Sequence, residues 1–324
     1  MAETYFITGA QGCIGSWVVK TLVERGDIPV VFDISADARR LNAIIEPAEL
    51  NKIRFITGDI TDGGAVERAL EQSAASKIIH LAGLQVPTCK VNPVLGALVN
   101  VVGTLNLFEA ARKAGVKHLV YASSAAVFGM SDSDEPLNEE AVCEPTTHYG
   151  VFKRTNEGNA SVYFLDHGIS SVGLRPLTVY GVNRDAGLTS DPTKAMKAAV
   201  LGLPFHIRFG GATDFQYAAD TAAAFIASAG RAPLGAFVFN LHGESVEVSK
   251  IVEIIDELSA APGQSLVTFG GPPIPIAPAM NDASIRKVIG DVPSMPLEKG
   301  ISETMKRFAE LRDSGRLDTS DLSS

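Results

Sequence analysis

Thr4-Tyr5-Phe6-Ile7-Thr8-Gly9-Ala10-Gln11-Gly12-Cys13-Ile14-Gly15 is a short apolar run that passes into three glycines spaced three apart. A helical pattern continues from Gly15 to Glu24. Glycines at this spacing permit a tight strand-to-helix turn and let the backbone approach a pyrophosphate, which then sits at the helix N-terminus. The next strand, Pro29–Asp33, ends in an acid. Asp33 stands 18 residues beyond Gly15, close to the roughly 20 expected of a residue that binds the adenosine ribose. Its carboxylate would accept hydrogen bonds from the ribose hydroxyls and repel a 2′-phosphate, so NAD is expected over NADP. Arg39 and Arg40 are the nearby features that would favour NADP. A plain structural turn with a solvated Asp33 would explain either feature alone, but not both in register.

Outward from this turn, apolar runs alternate with helical patterns. Strands are expected at Arg54–Thr57, Lys77–Leu81, His118–Ala122 and Ser171–Leu174, with helices over 64–73, 94–114 and 149–167. In the second of these helices Val94, Leu98, Val101, Val102, Leu105 and Phe108 recur at helical spacing. Strands separated by such helices form right-handed βαβ units and a parallel sheet. Past Arg175-Pro176 the alternation breaks down. Helices are expected over 193–201, 220–229 and 249–259. Pro272, Pro273, Pro275 and Pro278 make an extended segment, and the polar stretch 312–324 is expected to fray. The fold class is α/β: a Rossmann-type doubly wound parallel sheet with a smaller C-terminal substrate lobe. The expected division is an NAD-binding domain over 1–176, with a return to it near 213–241, and a mainly substrate-binding lobe over 177–324.

Composition narrows the function. The 324 residues carry 28 Lys+Arg against 37 Asp+Glu, a net charge of −9. Hydrophobic residues make up 46%, enough apolar surface to exclude a disordered chain. No basic cluster offers a nucleic-acid partner. Three cysteines without CxxC spacing offer no metal site and fit a reducing compartment. No signal-peptide pattern precedes Tyr5, and no run approaches the ~18 uninterrupted apolar residues of a membrane span. The expectation is a cytoplasmic protein with a small-molecule partner and neither membrane nor nucleic acid.

Tyr149-Gly150-Val151-Phe152-Lys153 places a phenol and an ammonium four residues apart, on one helical face. A free tyrosine, with pKa about 10, is a poor base at neutral pH. A neighbouring ammonium and a cationic nicotinamide would both favour the phenolate. Upstream, Tyr121-Ala122-Ser123-Ser124-Ala125-Ala126 puts hydroxyls at the carboxyl end of the fifth strand, the edge where doubly wound sheets bind ligands. His80 reads as a packed strand residue and His148 as a helix start. Trp17 is expected to pack the first helix on the sheet, and Cys13 to be a small filler.

With these motifs the sequence resembles the extended short-chain dehydrogenase/reductases, also called NAD-dependent epimerase/dehydratases. The resemblance runs from Phe6 to about Phe225. It rests on ITGAQGCIG, VVFD, GDITD, IIHLAG, VNVVGT, YASSAAVFG, YGVFK, LRPLTVYG and DFQYAADTA. It implies catalytic Ser124, Tyr149 and Lys153. It also implies a cofactor set of Gly9, Gln11, Gly12, Cys13, Ile14, Gly15, Asp33, Asp59, Ile60, Leu81, Ala82, Gly83, Asn100, Tyr149, Lys153, Pro176 and Leu177. A homodimer through the helices 94–114 and 149–167 is implied as well, with Phe152 and Tyr163 offering apolar contacts.

The departures bear on substrate. Dehydratases of the family usually carry Thr-Asp-Glu where this chain has Ser124-Ala125-Ala126, so no acid is present to expel a hydroxyl. Sugar-nucleotide epimerases usually carry Asn at the position of Thr178 and Arg at that of Thr213. An arginine clamps a phosphate bidentately and a threonine does not. Arg208 and Arg231 are possible substitutes. The segment Arg184-Asp185-Ala186-Gly187-Leu188-Thr189-Ser190-Asp191 is similar to a Gly- and Thr-rich segment of short-chain L-threonine dehydrogenases. Candidate substrate contacts are Gln85, Ser123, Ser124, Thr178, Arg184 and Thr189. The main expectation is an NAD-dependent enzyme of carbohydrate or related metabolism that interconverts a secondary alcohol and a ketone. Its substrate would be a small sugar, sugar acid or hydroxy amino acid. One alternative is a sugar or nucleotide-sugar 4-epimerase with tightly held NAD. A non-catalytic NAD sensor or scaffold is the alternative from another class.

Overall fold

A computed structural model of the chain describes residues 2–130, 135–259, 265–290 and 292–323. The strands are β1 (Thr4–Thr8), β2 (Ile28–Asp33), β3 (Arg54–Thr57), β4 (Lys77–His80), β5 (His118–Ala122), β6 (Ser170–Arg175), β7 (Thr178–Tyr180), β8 (Phe205–Ile207), β9 (Ala212–Tyr217), β10 (Ala236–Asn240), β11 (Glu244–Glu247) and β12 (Val267–Phe269). Seven of them form one sheet in the order β10-β6-β5-β4-β1-β2-β3. Every neighbouring pair in it is parallel. The strand order reverses between β1 and β4, which opens a cleft at their carboxyl ends.

Period-two alternation sorts the strand residues onto two faces. Phe6, Val30 and Ile78 pack with Val66, Leu70, Leu107, Phe108 and Ala160, from the helices Gly63–Ser73, Gly103–Lys113 and His148–His167. Tyr5, Ile7, Val31 and Ile79 pack with Val18, Leu22 and Phe225, from the helices Cys13–Arg25 and Ala218–Arg231. The chain thus returns to the sheet through Ala218–Arg231 and β10, after visiting the smaller lobe. That lobe holds the three-stranded sheet β11-β9-β7, the β12-β8 pair and the helix Leu297–Asp313.

The helix expected over 94–114 is a rod from Pro93 to Lys113 with one π-helical turn at Leu98–Val102. By length and composition it could cross a membrane, being 21 residues with mean hydropathy 1.6. Its Leu107, Phe108 and Ala111 are nevertheless buried in the core of the sheet, as in an internal helix. Trp17 does more than pack on the sheet: its Nε1 donates to Val182 O at 3.0 Å, tying the first helix to the second lobe. The stretch past 312 does not hang free. Lys197 Nζ donates to Asp318 O at 3.0 Å and to Asp321 Oδ1 at 2.7 Å, and Arg39 reaches the Asp318 carboxylate at 2.7 Å. Local polarity suggested fraying there because these partners are distant in sequence.

Candidate active site

The glycine loop is shaped by close approaches. Gly9 has φ of 65°, and a Cβ on it would lie 2.5 Å from Ala82 N, while one on Gly15 would lie 2.4 Å from Gly9 O. A Cβ on Gly12 would meet only Gly9 O, at 3.1 Å, so the loop's other side is open. The helix Cys13–Arg25 that follows has no side-chain cap at its N-terminus, and its first N–H groups are donors for an anion. Gln11 N donates to Asp33 Oδ2 at 3.0 Å, and the buried Gln11 Oε1 has no partner among the described residues. An open glycine face, an uncapped helix start, an acid at the second strand end and an orphaned acceptor together suit a dinucleotide.

Two adjoining cavities run along the cleft. One of about 310 Å³ is lined by Gly9, Gln11, Gly12, Asp33, Asp59, Ile60, Leu81, Ala82 and Gly83. The other, about 190 Å³, is lined by Cys13, Ile14, Gly15, Gln85, Ser124, Tyr149, Lys153, Pro176, Leu177, Arg184 and Thr189. Both arginines that could have served a 2′-phosphate are engaged. Arg39 pairs with Asp37 and Asp318, and Arg40 with Asp185.

The second cavity gathers the reactive groups. Thr147 caps the helix His148–His167 by accepting from Gly150 N at 3.1 Å, which sets Tyr149 in its first turn. A Cβ on Gly150 would lie 2.3 Å from Ala126 O, so only glycine lets this helix approach the end of β5 so closely. Ser124 and Tyr149 line the same cavity, and the Ser124 Oγ accepts from Ala126 N at 3.2 Å. Lys153 Nζ donates to Ala122 O at 2.7 Å and stands 5.5 Å from the Tyr149 ring centre. Burial lowers the Lys153 pKa to about 8. Burial also raises the Tyr149 pKa, against the opposing pull of the Ser124 hydroxyl and the Arg184 charge. This corrects the expected sign for the protein alone, because desolvation dominates. Arg184 Nη2 bonds Thr189 Oγ1 at 3.0 Å within the cavity, and its buried Nε has no partner among the described residues.

Two of the expected residues, Asn100 and Thr178, lie outside both cavities. The Asn100 Oδ1 and Nδ2 hold Leu84 N and Leu84 O at 2.7 and 3.0 Å, so Asn100 braces the wall behind Gly83. Thr178 is fully buried and hydrogen-bonded to Thr213 at 2.8 Å, facing away from the cavity. Ser123 also lines the second cavity, with its hydroxyl proton donated to Glu157 Oε1 at 2.6 Å. Two histidines stand outside the cavity. His80 is locked between Thr8 and Thr104 at 2.6 and 3.0 Å, and burial lowers its pKa to about 3. His148 stacks on Phe152. The sequence reading missed Val86, Leu188 and Ile276, which give the catalytic cavity its apolar wall. Ile276 comes from the proline-rich segment, where no periodicity marks an inward residue. Among the described residues no cluster of His, Cys, Asp and Glu could hold a metal.

The chain belongs to the NAD-dependent epimerase/dehydratase family, whose pattern matches residues 5–240. It is thus an NAD-dependent enzyme of the extended short-chain dehydrogenase/reductase type. It is 29% identical over 311 residues to a UDP-glucose 4-epimerase of Mycolicibacterium smegmatis, covering 93% of this chain and 97% of that protein. It is 28% identical over 316 residues to a UDP-glucuronate 4-epimerase of Thermodesulfobacterium geofontis, covering 93% and 94%. The crystal structure of Thermus thermophilus UDP-glucose 4-epimerase in complex with NAD superposes with a TM-score of 0.81 at 26% identity, covering 94% of this chain and 98% of that one.

Proposed function

We propose that the chain is a 4-epimerase acting on a sugar or nucleotide sugar, with NAD held through the cycle. This replaces the simple alcohol dehydrogenase as the leading reading. The observation that carries it is the convergence of Ser124, Tyr149 and Lys153 beside the glycine loop, in a chain that aligns along nearly its whole length with 4-epimerases. NAD, when bound, supplies the hydride acceptor and gives the hydride back. Tyr149 takes the proton of the substrate hydroxyl as the alcohol becomes a ketone, and returns it once the ketone has turned over in the cavity. Ser124 holds the reacting oxygen through its hydroxyl. Lys153, kept cationic, would bind the nicotinamide ribose and favour the phenolate. Arg184 and Thr189 present charge and hydroxyl to the polar end of the substrate. Ala126 in the cavity wall carries no acid, so elimination of a hydroxyl has no proton donor there.

A second reading keeps its place on one observation. Thr178 and Thr213 bond each other in the interior, where a diphosphate clamp would otherwise reach out. That favours a smaller alcohol as substrate. UDP-glucose and UDP-glucuronate incubated with the NAD-loaded enzyme separate the two. Appearance of the 4-epimer by chromatography, without NADH released at 340 nm, supports the epimerase. Free NADH formed from polyols, aldonates or hydroxy amino acids, with no epimer from either nucleotide sugar, overturns it.

The cofactor expected is NAD over NADP, because Asp33 faces the first cavity and Arg39 and Arg40 are both paired. Asp33→Ala should narrow the ratio of the two dissociation constants by removing repulsion of the 2′-phosphate. An unchanged ratio in titrations of parent and variant would count against Asp33 as the discriminating residue.

The enzyme is expected to be a homodimer. Phe152 and Tyr163 are half-buried within the chain, Phe152 beside Gly96 and Tyr163 stacked on Phe108, and each keeps part of its ring exposed. Val94, Leu95, Leu98 and Val102 on one helix, and Val151, Val162 and Leu165 on the other, are the large apolar side chains left exposed among the described residues. Burying such a patch in a second copy would stabilise the pair. Light scattering at micromolar concentration should give twice the chain mass, and a monomer would sink the expectation.

A further inference from the structure

Arg40 belongs to the segment after β2, yet its side chain reaches across the glycine loop. Its Nε and Nη2 donate to Oδ2 and Oδ1 of Asp185 at 2.9 and 2.7 Å. The third donor, Nη1, reaches Gln11 O at 2.9 Å. Gln11 N is in turn bound to Asp33. One guanidinium therefore fastens the loop to Asp185, which lies 145 residues beyond Arg40 itself. A second tie runs alongside: Asn183 Nδ2 bonds Arg40 O and Ser16 Oγ, each at 2.9 Å.

The position of this bridge gives it meaning. Arg40 lines the adenosine-side cavity together with Asp33. Arg184, next to Asp185, lines the catalytic cavity. Both arginines also line a third cavity of about 520 Å³ on the far side of the bridge. The charges acting on Cys13, at the start of the first helix, are those of Arg184, Asp185 and Arg40. The ion pair thus crosses the turn at which a pyrophosphate would sit, and closes the groove off from the larger space behind.

We propose that the Arg40–Asp185 pair is a clasp over the glycine loop that retains NAD between turnovers. The proposal rests on the reading that this groove holds the cofactor. A fork-to-carboxylate pair has two parallel charge-assisted bonds, so it holds direction as well as distance. Both side chains are partly buried, at 34% and 27% exposure, so the pair is less screened than a surface one. Retention suits an epimerase, which needs the same cofactor molecule for both halves of its reaction. Neither residue touches the reacting atoms; they are positioning residues.

The test follows release of NAD from loaded enzyme into an excess of alcohol dehydrogenase and ethanol, which converts each released molecule to NADH. Asp185→Asn should release NAD about tenfold faster, since lost contacts act mostly on the off-rate. Arg40→Lys should act in the same direction. The exchanged pair Arg40→Asp with Asp185→Arg should restore slow release, which a merely misfolded single variant would not predict. Release from Asp185→Asn within twofold of the parent overturns the clasp alone. A parent that binds no NAD overturns the cofactor reading of the groove, and the clasp with it.

Discussion

Replacing Tyr149 with Phe should abolish turnover while NAD still binds. The phenol is the group placed to move the proton in the catalytic cavity, and the ring without its hydroxyl fills the same space. Loss of a general acid–base group costs about 10²–10⁴ in rate. The alternatives are few: His80 is neutral and locked between two threonines, and His148 is turned against Phe152. Ser124→Ala should cost less, because it removes one orienting bond. Lys153→Met should weaken both rate and NAD affinity. The rate should rise with pH through an apparent pKa below that of a free tyrosine. Burial alone would put it above, so the lowering has to come from the positive charges of the oxidised cofactor and Lys153. An initial-rate measurement of Tyr149→Phe within a few-fold of the parent would overturn the assignment. So would a profile that rises only above pH 10, as far as the charge argument is concerned.

What could be read from the chain was what is local. The glycine loop, Asp33 and the Tyr149–Lys153 spacing depend on neighbours within a strand, a turn or one helical repeat, so the letters carry them. Ser123 and Ser124 show where that ends. Adjacent residues at the end of a strand point to opposite sides. Both line the cavity, but the proton of Ser123 goes to Glu157, more than thirty residues on. Thr178 looked like a substrate contact until its partner Thr213 was known, and Arg40 looked like a free charge until Asp185 was. Asn100 was expected at the cofactor from its motif, and its bonds to Leu84 behind the cavity wall are visible only in the packing. Each of these is a pairing across distant segments, and no periodicity announces it. The substrate lobe is assembled almost wholly from such pairings, which is why its sequence was the least informative.

Glu157→Ala should be the most destabilising single change near the site. Glu157 lies one helical turn beyond Lys153, on the side facing β5 and β6. Its Oε1 and Oε2 take Nε and Nη2 of Arg175 at 2.7 and 2.8 Å, with both side chains about 2% exposed or less. Oε1 also accepts from Ser123, and Oε2 from Arg154 at 2.9 Å. Arg175 rests on the Phe128 ring, 4.6 Å from its centre. The residue after it, Pro176, receives Ala125 N at 3.0 Å. Removing the carboxylate leaves a guanidinium in the interior without its counter-charge, which typically costs about 3–5 kcal/mol. Glu157→Gln should cost less, since the amide oxygen can still accept from Ser123 or Arg175 although the charge is gone. Denaturant unfolding of the cofactor-free protein is the measurement, because bound NAD would add stability of its own. Loss of NAD-loaded activity should follow in Glu157→Ala, as the strand end carrying Ser124 and the helix turn carrying Lys153 share this anchor. A midpoint equal to the parent's in Glu157→Ala would mean that water reaches Arg175 and that the pair does not hold the site together.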